Sequence, residues 1–316
     1  MSVLGRLFCP FFADIQRVYA SACKDAAVDA TMIPLRLEDL SDAQAAYEAE
    51  FAAFGAPAPF VRITWNGIAS LWAFSQAVIR IGRPCFEAQR AADPHGAPPE
   101  IPVTGDVETG IDLVTLSVRL AKNRFDRWVE WAPVPDAQIR SDPDGSGNFL
   151  FLNALSWIVR HELAHIVLNH HAVTYTLPDD KKRAELEADA KATLWMKGLF
   201  APSISRSAGS QPSSAEIALE RRALGVMCGL LWLTQFELIS HGTSPTHPDA
   251  VSRLTSVISI LQLREDSFAS EILCYIVKVL IDPESPWPSD AREPSASDAA
   301  IDALIRLNRF ITDQRQ

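Results

Sequence analysis

The chain has 316 residues, 48% hydrophobic and 22% charged, which is enough for one large domain or two modest ones around a sizeable core. A net charge of −10 with no basic run excludes the clustered Lys and Arg that grip phosphates, so no nucleic-acid partner is expected. The five cysteines (Cys9, Cys23, Cys85, Cys228 and Cys274) are odd in number and never spaced C-x-x-C, which excludes a disulfide framework and a cysteine zinc site and fits reduced thiols in a cytoplasmic protein.

In chain order, the N-terminal MSVLGRLFCPFFADIQ has an apolar patch but soon meets Asp14 and Arg17, so it reads as mature protein rather than a signal peptide. Apolar residues at three- and four-residue spacing predict helices over 11–28, 42–54, 68–81 and 111–129. Phe60 to Trp65 alternates as a strand, with Asn66-Gly67 as a turn after it, and 33–37 reads as a second short strand. Two proline-rich stretches, 83–102 and 131–148, read as loops, and so does 201–214. Further helices are expected over 215–240, 248–263, 267–281 and 297–312. The longest apolar run, 223–236, falls short of the ~20 residues a membrane span needs and reads as a buried core helix, with membrane association left open. The expectation is a mostly helical chain with a small β-sheet (α+β). It divides into a mixed region at 1–130, a connecting loop at 131–148 and a helical region at 149–316, or forms one continuous domain.

The informative segment is Phe149 to His171, FLFLNALSWIVRHELAHIVLNHH, which contains His161-Glu162-Leu163-Ala164-His165. Four residues is just over one helical turn, so both imidazoles leave the same face and can share one ion. Glu162 lies about 100° around the helix from His161, where its carboxylate can reach a water on the metal without becoming a third ligand. Leu155, Ile158, Val159, Ile166 and Val167 supply apolar flanks, and two histidines and a glutamate would be costly to bury there without a purpose.

A catalytic zinc site needs three protein ligands and one open position. Downstream, KKRAELEADAKAT (181–193) is a strong helix former that carries Glu185 and Asp189 on one face and Glu187 nearly opposite. Packed against the first helix, it would bring Glu185 to the metal, while Asp189 accepts the N–H of a ligand histidine and fixes its tautomer. The plainer reading of these acids is a solvated helix face. His171, six residues after His165, is a rival ligand. That spacing requires a glycine where this chain has Leu168, so His170 and His171 read instead as histidines near a helix C-terminus. His247, before Pro248 at a helix start, either hydrogen-bonds the oxyanion of a tetrahedral intermediate or is a loop histidine without a role. Asp142 to Gly147 fits half of a calcium loop, but Asn153 stands where a bidentate Glu belongs, so the segment reads as a turn and helix cap.

These motifs together, H-E-x-x-H, then E-x-x-A-D at Glu185 to Asp189, then H-P with Arg253 following, resemble the gluzincin metallopeptidases, particularly the Ste24 and HtpX type. In that type the Glu of E-x-x-A-D is the third zinc ligand, and several membrane spans are usual; this chain shows no clear span. The layout and length are also similar to the Lit-type phage-exclusion peptidases, a family associated with abortive infection through cleavage of a translation elongation factor. The resemblance covers roughly residues 150 to 255 and implies a zincin-like metallopeptidase core, a Zn2+ cofactor, a protein or peptide substrate and endopeptidase activity. The alternatives are a catalytically silent zincin-like protein that binds or regulates a partner, and a closed structural metal site.

Overall fold

Several helix starts are fixed by side chains that bond the free N–H groups of the first turn. Ser2 accepts from Gly5, Asp142 from Gly145 and Asp249 from Ser252. A computed structural model of the chain describes residues 2–39, 52–53, 59–91, 102–122, 127–138, 142–170, 173, 175, 177–198, 213–240, 248–264, 266–281 and 296–313. The described elements run α1 (Val3–Phe8), a 3-10 turn at Cys9–Phe11, α2 (Phe12–Ala26), β1 (Leu35–Glu38), β2 (Ala52–Ala53), β3 (Phe60–Thr64), α3 (Trp65–Ala91) and α4 (Asp106–Lys122). They continue with α5 (Pro143–Val167), α6 (Pro178–Lys197), α7 (Ser214–Ser240), α8 (Ala250–Leu261), α9 (Phe268–Ile281) and α10 (Ala296–Asp313). The fold is mostly helical with one small sheet, as expected. In that sheet β1 runs parallel to β3, with Leu35 opposite Val61, and β2 pairs antiparallel on the other side of β3.

Four sequence expectations differ from the structure. The loop expected over 83–102 is helix as far as Ala91, with Pro84 inside α3. A proline removes one main-chain hydrogen bond there, but Ile81 and Cys85 on either side are buried, and their packing outweighs the loss. The turn expected at Asn66-Gly67 is the first turn of α3. The Thr64 hydroxyl accepts from the Gly67 N–H at 3.0 Å, and the Asn66 amide donates to the Leu120 carbonyl at 2.8 Å. The loop expected over 131–148 ends early, because Pro143 opens α5 behind the Asp142 cap. Of the helix expected over 42–54, most lies outside the described residues, while Ala52–Ala53 pair with β3 as a short strand that occupies an edge otherwise left with free main-chain groups.

The core is built around α5. This helix is apolar on every side, the pattern of an element surrounded by protein. Leu150, Phe151, Ala154, Leu155, Trp157, Ile158, Val159 and Leu163 are all buried. Helices α2, α3, α6 and α7 pack against it. Helix α7 comes close because it presents glycines: a Cβ on Gly225 would lie 2.5 Å from the Asn153 Cβ and 3.0 Å from its carbonyl carbon. Helix α2 is tied to α5 by the buried Arg160, which donates to Asp25, Ser21 and Ser156. The five cysteines are free thiols. Among the described residues no helix is long and apolar enough to cross a membrane.

Candidate metal centre

The last two turns of α5 carry His161, Glu162 and His165, and α6 lies alongside. Helical spacing puts the two imidazoles on one face, as the sequence requires, with their Nε2 atoms 3.0 Å apart. Glu185 of α6 reaches the same point: its Oε2 is 3.3 Å from His161 Nε2 and its Oε1 is 3.4 Å from His165 Nε2. One donor atom from each of His161, His165 and Glu185 lies within 4.8 Å of the others, and this is the group among the described residues able to hold a metal ion. Glu162 is half-buried beside them.

Behind His161 stands Asp189, one turn after Glu185 and fully buried. Its Oδ1 is 2.9 Å from His161 Nδ1, close in distance but off-line in angle for a well-formed hydrogen bond. Arg253 of α8 donates from Nε to Asp189 Oδ2 and from Nη2 to Oδ1, both at 2.7 Å. Behind His165 the arrangement differs. Its Nδ1 lies 2.9 Å from His170 Nδ1, and His170 Nε2 lies 3.3 Å from Glu187 Oε2.

The charges are strongly coupled. Burial alone would push the His161 imidazolium down, but the carboxylates of Asp189 and Glu185 outweigh it and hold its pKa up at about 10. Burial would lift Glu185, but His161, His165 and Arg253 hold it well below the usual carboxylate range. Asp189 is likewise held low against its burial, by Arg253 and His161. Burial and the neighbouring His161 charge pull His165 down. The pocket of acceptors therefore attracts positive charge at the point where the two Nε2 atoms and Glu185 meet.

The structure thus brings together five of the six residues singled out from sequence: His161, Glu162, His165, Glu185 and Asp189. The sixth, His247, lies outside the described residues, as does His171. Asp142 caps α5, and the Asn153 amide donates to the Phe149 carbonyl within that helix. Three participants carried no recognisable role in the sequence. Arg253 was visible only as the residue trailing His247-Pro248, His170 looked like an ordinary helix-end histidine, and Glu187 was expected to face away from Glu185. Glu187 does face away, and His170 is what it meets there. No sequence signal joins them, because the left-handed Asn169 (φ 56°) turns the chain back over the helix end.

Comparison with known proteins adds to this geometry. The chain is 30% identical over 152 residues to the cell death peptidase of Escherichia coli strain K12, a match covering 48% of this chain and 46% of the relative. The match thus spans about half the length of that curated relative. No solved structure matches the chain. The Peptidase U49 family model matches residues 61–273, which take in His161, Glu162, His165 and Glu185 and both helices that carry them, and the chain belongs to that family.

Proposed function

We propose that this protein is a zinc-dependent endopeptidase, with His161, His165 and Glu185 as the metal ligands and Glu162 as the general base. The observation that carries the reading is the convergence of two imidazole nitrogens and one carboxylate oxygen from two helices, at 3.0, 3.3 and 3.4 Å. Donors held ~2.0–2.1 Å from one tetrahedral ion stand about 3.3 Å apart, so the spacing suits zinc. Membership of a peptidase family supports the reaction class.

Zinc, when bound, would supply Lewis acidity, lowering the pKa of water toward ~7 and polarising the substrate carbonyl. The residues do the rest. Glu162 takes the proton of the attacking water and passes it to the leaving amine as the peptide bond breaks. Asp189, held by Arg253, keeps the His161 Nδ1 side occupied so that Nε2 faces the metal. We assign His247, by its place in the sequence before Pro248, to the oxyanion that develops on the substrate carbonyl. Residues 149–316 form the catalytic region in this reading, and 1–130 buttress it through α2 and α3.

The relative's name, cell death peptidase, supports proteolysis in a cell-death role, and we place that role in abortive infection and phage exclusion through cleavage of a cytoplasmic protein. The test pairs zinc analysis with terminal-peptide mass spectrometry of cells producing wild type or Glu162→Gln. The variant should retain zinc and lose every new protein terminus that wild type generates. Identical termini from both would exclude Glu162 as the base, and wild-type protein with zinc but no cleavage would favour a binding or regulatory role.

A further inference from the structure

The unusual element beside the metal centre is a pair of imidazoles joined through their Nδ1 atoms. Helix α5 ends when Leu168 closes the final turn by donating to the Ala164 carbonyl, and Asn169, donating to Ile166, enters the left-handed region. That reversal lays His170 over the last turn, its ring centroid 5.0 Å from that of His165. The His170 side chain is only 9% exposed, so it is built into the site rather than waving above it, while Glu187 beyond it is 53% exposed.

Two imidazole nitrogens 2.9 Å apart share one proton, which sits on one of the two rings. With both rings neutral, two assignments exist. If the proton belongs to His170 Nδ1, the neutral His170 turns a lone pair at Nε2 toward the Glu187 carboxylate, acceptor against acceptor. If it belongs to His165 Nδ1, then His170 accepts at Nδ1 and carries its own proton on Nε2, where Glu187 Oε2 receives it at 3.3 Å. Only the second gives both His170 nitrogens and the Glu187 carboxylate a matching partner. The same assignment leaves His165 with a bare lone pair at Nε2, the atom that faces His161 Nε2 and Glu185.

We infer that Glu187 and His170 form a relay that fixes His165 in its Nδ1–H tautomer and so presents Nε2 to the metal. Both are positioning residues, acting through His165. Helix α6 then serves both faces of the centre, with Glu185 as ligand and Glu187 as the far end of the relay. The two ligand histidines are supported differently: His161 meets a buried carboxylate directly, while His165 meets one through a second imidazole. This inference rests on the zinc-site reading above, but its first test does not need zinc.

The experiment has two arms on the full chain. In the metal-free protein, nitrogen-15 NMR of the histidine rings should place the proton on Nδ1 of His165 and on Nε2 of His170. Glu187→Ala, at a half-exposed position, should leave the fold intact and mix the tautomers of His170. A His165 ring protonated at Nε2 in wild type overturns the relay. In the second arm, zinc affinity is measured by chelator competition. His170→Phe keeps the bulk and removes the acceptor, and should weaken zinc binding about 10–100-fold. His170→Asn, whose amide oxygen can stand near the lost Nδ1, should restore most of it. The double variant His170→Phe with Glu187→Ala should bind zinc no worse than His170→Phe alone, because Glu187 acts only through His170. Unchanged affinity in His170→Phe, or additive losses in the double variant, overturns the proposal. A wild type that binds no zinc sinks the metallopeptidase reading, while the NMR arm still decides the tautomer.

Discussion

Arg253 grips Asp189 with two parallel hydrogen bonds of 2.7 Å, both side chains buried, so an arginine on α8 reaches the candidate metal centre through a carboxylate on α6. A buried ion pair gives little net stability compared with an apolar pair, but stripping one partner strands a charge. Arg253→Met should therefore destabilise the metal-free protein by about 3–5 kcal/mol. Adding Asp189→Leu should return part of that loss, although zinc affinity falls further. Urea unfolding of wild type and both variants measures both signs, and a single variant within 1 kcal/mol of wild type, about the size of an exposed pair, would contradict the buried-pair reading.

The close crossing of α7 on α5 predicts a second effect. Gly225→Ala places a methyl 3.0 Å from the main chain of Asn153, which cannot swing aside as a side-chain tip could. The expected loss is about 1–3 kcal/mol, typical of an overfilled core. Because α5 carries the histidines, thermal melting should fall together with zinc affinity. A stable variant with wild-type zinc binding would show that the helices separate more easily than the glycine implies.

Metal removal should be visible in stability alone. If zinc binds only the folded chain, free zinc at a hundredfold excess over its dissociation constant adds about 2.7 kcal/mol. Dialysis against a chelator should lower the melting temperature, and zinc should restore it. His161→Ala, which removes a ligand, should melt at the same temperature with and without zinc.

Glu220 supplies a pH prediction away from the metal. Burial raises its pKa, against the hydrogen bonds it accepts from the Ser267 hydroxyl and the Ala269 N–H. A carboxyl whose folded pKa lies above its unfolded value contributes stability at low pH, and this is lost as pH rises through the folded pKa. Glu220→Gln removes that dependence while keeping an acceptor. Urea midpoints should therefore shift in favour of the variant between pH 4 and pH 8, and a parallel pair of pH curves would refute the assignment.

Much of the candidate site was legible in the sequence because helical periodicity is a local rule. His161 and His165 four apart, and Glu185 and Asp189 four apart, specify faces without knowledge of the rest of the chain. The partners that steady them were not legible. Arg253 sits 64 residues beyond Asp189, and only the packing of α8 on α6 joins them. His170 depends on a single left-handed residue, Asn169, that pattern reading cannot anticipate. The fold shows the same division. The strand at β3 and most helices follow from spacing, whereas the passage of α3 through Pro84 was decided by burial of Ile81 and Cys85, which is a tertiary effect.

The histidines occupy the end of a helix that α2, α3, α6 and α7 enclose, and this ties chemistry to the rest of the molecule. Amide protons along the middle of α5 should exchange with solvent only when the entire chain opens, at the slowest rates in the protein. Local opening of α5 alone should not separate His161 from His165 while the rest of the fold persists. Heat should abolish zinc binding and tertiary structure in a single step.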